Sequence, residues 1–131
     1  MRSGSFNLRT YEVQDFRNLL VWQKAHRLAV DVDHKTKSAV RQDRSGCISQ
    51  ARRAALSIPS NIAEGSGRQT NRDFAKFLQI AIGSASELEY QIQFALDTEL
   101  ISSSDCKALG EQVIEVRRML YGLLRRVQGN D

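Results

Sequence analysis

The sequence predicts an all-α protein, an antiparallel up-down four-helix bundle, on three observations. Four segments carry apolar residues at mixed three- and four-residue steps, the period of a helix that buries one stripe. The connections between them are short and polar, which places successive helices side by side and antiparallel. One proline and eight glycines in 131 residues supply too little turn chemistry for a fold of many short strands, and neither strand alternation nor an internal repeat is present.

The elements follow in order. Residues 1–14 show no sustained period and read as a flexible N-terminal arm, and residues 128–131 read as a disordered tail, so the bundle is expected over 15–127. The first helix is expected over 16–38, with Asp15 as its cap and Trp22, Ala25, Ala29 and Val32 on the apolar line beside Leu28. Residues 39–46 form a polar break. The second helix, 47–64, carries Ile48, Ala51, Ala55, Ile58 and Ile62; Pro59 lies within it and is expected to kink it or start a new turn. Gly65, Ser66 and Gly67 then end it, a glycine there being the usual left-handed terminator.

The third helix opens at Thr70 or Asn71, with Asp73 suited to the positive end of its dipole. Its apolar line is Phe74, Phe77, Ala81, Ala85, Leu88, Ile92 and Ala95. The fourth opens near Ser103 or Ser104 and carries Cys106, Leu109, Val113, Val116, Leu120, Leu123 and Val127.

Composition narrows the function. Cys47 and Cys106 are far apart, and His26 and His34 complete no ligand cluster, so neither a metal site nor a cofactor is expected. Two lone thiols suit a reduced cytoplasmic setting, and no stretch approaches the apolar length of a membrane span. No nucleophile stands beside a base: Ser57 and Ser60 have no histidine in local reach, so catalysis is not expected.

Charge is sorted along the chain. Residues 41–76 hold seven basic and three acidic groups, 77–105 five acidic and no basic ones, and 106–127 five basic and two acidic ones. The basic residues Arg52, Arg68, Arg72, Lys76, Arg118, Arg125 and Arg126 are candidate nucleic-acid contacts, or else partners of the acidic third helix. Residues 64–72 combine a helix start, free backbone N–H groups and arginines, the chemistry of a phosphate site, without the Gly-Lys-Ser/Thr of a nucleotide-binding loop. Trp22 and Tyr90 read as core or interface residues rather than stacking platforms.

A second feature is a polar stripe. Gln50, Arg53, Ser57, Asn61 and Glu64 recur at helical steps on the second helix, and Ser84, Glu87 and Gln91 on the third, among small residues that allow close approach. The stripe is either the solvated face of each helix or a partly buried network in which Arg53 pairs with Glu87 or Glu64 and Asn61 bridges.

The runs RRAALSIPSNIAEGSGR at 52–68 and FAKFLQIAIGSASELEYQ at 74–91 closely resemble the four-helix-bundle proteins associated with 23S rRNA intervening sequences. DFRNLLVWQKAHRLA at 15–29 and RMLYGLL at 118–124 fit the same pattern, while AVRQDRSGC at 39–47 departs from the Phe-Pro common there. The resemblance implies an antiparallel bundle assembling as a homopentamer, similar in architecture to the accessory variability proteins of retroelements, which bind nucleic acid and a reverse transcriptase. It also implies that Arg53, Ser57, Asn61, Glu64 and Glu87 form a polar motif with a structural or subunit-contact role. The expectation is therefore a non-catalytic nucleic-acid-binding homo-oligomer, with structured or ribosomal RNA as the partner. The alternative is an oligomeric scaffold that binds another protein without touching nucleic acid.

Overall fold

A computed structural model describes residues 15–129, and the expected flexible arm at 1–14 lies outside the described residues. It is an antiparallel four-helix bundle of α1 (Leu20–Thr36), α2 (Cys47–Ser66), α3 (Asn71–Asp97) and α4 (Ser103–Gly129). Each helix packs against its two neighbours in ring order, α1 closing the ring on α4, and the diagonal pairs do not approach. The α2–α3 interface is the most extensive and α1–α4 the least.

The core is aliphatic. Leu28, Val32, Ile48, Ile58, Ile62, Leu78, Leu88, Leu109, Val113, Val116 and Leu120 are fully buried with Phe74. Small residues are buried on both helices of the α2–α3 pair, Ala51, Ala54 and Ala55 on α2 and Ala81 and Ala85 on α3. The expected apolar lines hold with slips of one residue. Val21 is buried where Trp22 was expected, Leu78 where Phe77 was, and Leu124 where Leu123 was; the displaced residues are half-buried, and Trp22 and Leu123 pack against the same core.

The helix ends show how local chemistry sets the boundaries. Asp15 does cap, but it caps a short 3-10 turn, Phe16–Asn18, by accepting from Arg17 N at 3.0 Å; α1 begins one turn later. At its other end α1 tightens into a 3-10 stretch, Lys37–Gln42, where the buried Thr36 hydroxyl donates to the Val32 carbonyl at 2.6 Å. Asp43 then caps α2, accepting from Ile48 N at 2.9 Å, while Ser45 Oγ accepts from Cys47 N. Gly46 makes that approach at φ 81°, a left-handed conformation suited to glycine. The divergent loop thus carries its own cap.

Helix α2 continues through the buried Pro59 as one uninterrupted helix, so no new turn starts there. Its end departs from expectation: Gly67 sits at φ −86°, right-handed. Thr70 caps α3 by accepting from Asp73 N at 3.1 Å, and Ser102 caps α4 by accepting from Asp105 N at 3.2 Å. Helix α4 runs through Gln128 and Gly129, past the expected start of the tail. Among the described residues no helix is long and apolar enough to cross a membrane.

Candidate nucleic-acid interface

The polar stripe divides into two parts. On its inner side Ser57 Oγ lies 2.9 Å from Ser84 Oγ across the α2–α3 contact. Asn61 Nδ2 donates to the Ser57 carbonyl at 2.8 Å and to Ser57 Oγ at 3.0 Å. Asn61, Ser57 and Ser84 thus form a chain of hydrogen bonds between the helices. On its outer side the charged members stay exposed. Glu64 accepts from Arg68 at 2.8 Å, Glu87 accepts from Gln91 Nε2 at 3.3 Å, and Arg53 makes no ion pair among the described residues.

The expected pairing of Arg53 with Glu64 or Glu87 therefore does not form within one chain. Eleven residues along a helix separate Arg53 from Glu64 by about 16 Å, beyond side-chain reach. Arg53 and Glu87 each stand one turn from the serine contact on antiparallel helices, so they are level, but both extend into solvent. Gln50 is exposed and Gln91 buried. With its amide donated to Glu87, Gln91 leaves Oε1 as a buried acceptor without a partner among the described residues. Around these polar groups the same face exposes more than half of Leu56, Ile80 and Tyr90.

The seven candidate basic residues fall into three places. Arg52 is half-buried on the α1 side and pairs with Asp33, whose carboxyl is held below its ordinary value chiefly by the hydrogen bond from Arg52. Arg68 stands at the α2–α3 turn, tied to Glu64 and lying over the Phe77 ring at 4.8 Å. Arg72 and Lys76 are exposed on the first turns of α3, four residues apart and so on one face. Arg118, Arg125 and Arg126 are exposed on the C-terminal half of α4.

The antiparallel topology then brings the last two groups to the same end. Since α4 runs opposite to α3, its C-terminus returns to the level of the α2–α3 turn. With the Ser57–Ser84 and Lys24–Glu115 contacts taken as the equator, the half containing that turn, with the Lys24–Glu115 pair counted in it, holds nine basic and four acidic side chains among the described residues. The other half holds eight basic and nine acidic. Segments that are basic, acidic and basic in the sequence become a bundle with one positive end.

The turn itself offers fewer free donors than its sequence suggests. Gly67 N donates to the Glu64 carbonyl and Arg68 N to the Gly65 carbonyl, and Thr70 takes both Asp73 N and Phe74 N. What the turn presents at its surface is side-chain charge. Trp22 packs edge-on to Phe16 and stacks on His26, each at 4.9 Å between centroids, whereas Tyr90 stands on the surface. Cys47 and Cys106 are separately buried thiols, each raised above the ordinary cysteine value by that burial.

Two neighbours of the arginines were not among the sequence-derived candidates. Tyr121 and Ile114 are exposed on α4 and line a shallow cleft with Arg117, Arg118 and Arg125. Their signal was present in the steps 114, 118, 121 and 125, which trace one helical stripe outside the core line.

Comparison with known proteins agrees with this architecture. A solved structure of a protein of unknown function from the S23 ribosomal protein family of Bacteroides thetaiotaomicron superimposes with a TM-score of 0.76 at 27% identity, covering 80% of this chain and 98% of that one. Among curated proteins, none matches. Residues 17–122 match the family described as 23S rRNA-intervening sequence protein, and the chain belongs to that family.

Proposed function

We propose that this protein is a non-catalytic RNA-binding protein that works in the cytoplasm as a homo-oligomer, in the form of a pentameric ring. The observation that carries the reading is the positive end of the bundle, where Arg72, Lys76, Arg118, Arg125 and Arg126 are all exposed. Phosphate contacts by such side chains supply sequence-independent affinity. A family named for a segment of ribosomal RNA favours structured RNA as the polyanion.

Self-association is supported by the α2–α3 face. Exposed Leu56, Ile80 and Tyr90 surround Arg53 and Glu87, opposite charges that find no partner in each other within one chain. A second copy would cover the apolar side chains and pair the charges in trans. A ring would also repeat the basic end in every protomer, and multivalent contact raises avidity without new chemistry.

The test is RNA binding by fluorescence anisotropy across a salt series, with light scattering for mass. Affinity for a structured ribosomal RNA fragment should fall about a thousandfold between 50 and 200 mM salt, as for a protein engaging several phosphates. The triple change Arg118→Ala, Arg125→Ala, Arg126→Ala should weaken binding at constant mass, and Arg53→Glu should lower the mass. Tight binding that ignores salt, or a monomeric wild-type protein, would contradict the reading. The exposed apolar α2–α3 face also suits a scaffold for another protein; a stoichiometric, nuclease-resistant protein partner would favour that instead.

A further inference from the structure

The stripe on α4 has a composition that phosphate binding alone does not require. Ile114, Arg118, Tyr121 and Arg125 succeed one another at steps of 4, 3 and 4 and, with Arg117, line one shallow cleft. Tyr121 is 45% exposed, between arginines one turn before it and one turn after it. Arg117 is fixed at the cleft's α3 side, donating to Glu89 Oε1 at 2.6 Å and to Ser86 Oγ at 3.2 Å. Arg118 and Arg125 make no ion pair among the described residues, and no acidic residue occurs from 116 to 129. The surface therefore presents a partly exposed aromatic side chain flanked by two available cations and one anchored cation.

A duplex would use only part of this surface. In double-stranded RNA the bases are stacked inside, and a protein meets phosphates and 2′-hydroxyls, which satisfy the arginines and leave the phenol ring without a partner. An unpaired nucleotide offers both halves of the complement, a π-face for Tyr121 and phosphates on either side of it.

We infer that the α4 cleft is a subsite for an unpaired nucleotide of RNA, its base stacked on Tyr121 and its flanking phosphates held by Arg118 and Arg125. The inference rests on the RNA-binding reading and narrows it to loops, bulges or single-stranded ends. The full chain is titrated against a labelled unstructured oligoribonucleotide, a blunt RNA duplex and the matching single-stranded DNA, with thermal unfolding of every variant. Tyr121→Ala should weaken the unstructured RNA about tenfold while changing the duplex by less than roughly twofold, and Tyr121→Phe should bind as wild type. The double change Arg118→Ala, Arg125→Ala should weaken both RNAs. The DNA strand, which offers the same π-faces and phosphates, should lose affinity on Tyr121→Ala as the unstructured RNA does. If Tyr121→Ala binds unstructured RNA normally, or loses duplex and single strand alike, the stacking subsite is wrong although RNA binding stands. If the wild type binds neither RNA at low salt, the RNA-binding reading fails and takes the subsite with it.

Discussion

The two ends of the bundle are closed by turns of opposite design. The α2–α3 turn, at the basic end, is rich in glycine, yet neither Gly65 nor Gly67 has a positive φ. The α3–α4 turn, at the end bearing Asp97, Glu99 and Asp105, contains no glycine, yet it is where a side chain is left-handed: Glu99 lies at φ 59°. What Gly65 provides is space. A Cβ there would stand 2.8 Å from both Phe74 Cδ1 and Phe77 Cβ, so the absence of a side chain lets α3 fold back tightly on α2. A glycine in a sequence therefore has two meanings, conformational freedom or close approach, and only the neighbours separate them.

The largest expected effect follows from that distinction. Gly65→Ala should destabilise the bundle by about 2 kcal/mol, because the overlap falls on a ring and a Cβ held in the helix contact. Urea unfolding checks this; an unchanged midpoint would mean that α3 withdraws freely and that the turn is loosely packed. At the opposite end Glu99→Gly should stabilise by about 1 kcal/mol, since it relieves a left-handed non-glycine residue. If Glu99→Gly were destabilising, the side chain would be compensating for its backbone, and the contrast between the two turns would weaken.

Much of the fold was legible because four helical periods and polar breaks admit few architectures. The slips of one residue, Trp22 for Val21, Phe77 for Leu78 and Leu123 for Leu124, have one cause: each pair is adjacent, both members are apolar, and a wide helical stripe accepts either. Only the facing helix decides which goes deeper. The site was legible in residue types and less so in grouping. Arg68, Arg72 and Lys76 are close in sequence, but their convergence with Arg125 and Arg126 depends on α4 returning to the same end. The Arg53–Glu87 pairing failed for a related reason: helical spacing gives level and face, not whether a charge remains in water.

A smaller effect tests the inner seam against those outer charges. Ser57→Ala should cost about 1 kcal/mol, and Ser84→Ala a similar amount, with the double change costing less than their sum because the hydroxyls share one hydrogen bond. Arg53→Ala, by contrast, should leave unfolding of the single chain within about 0.5 kcal/mol of wild type. Strict additivity at Ser57 and Ser84 would remove the hydroxyl–hydroxyl bond between the helices.

The subtlest expected change concerns the α1–α2 side, where Arg52 meets Asp33. The hydrogen bond from Arg52 is the leading cause that lowers the Asp33 carboxyl, against a smaller opposing effect of burial. A carboxyl lowered in the folded state adds stability that is fully present above its unfolded value, about 3.9 for aspartate, and is lost as pH falls through the folded value. The stability difference between wild type and Arg52→Met should thus be constant near neutrality and shrink only in the acid range below about pH 4. Unfolding midpoints measured over that range decide the matter: a difference that persists undiminished in acid would assign the effect of Arg52 to the packing of its aliphatic stem between α1 and α2 rather than to its charge.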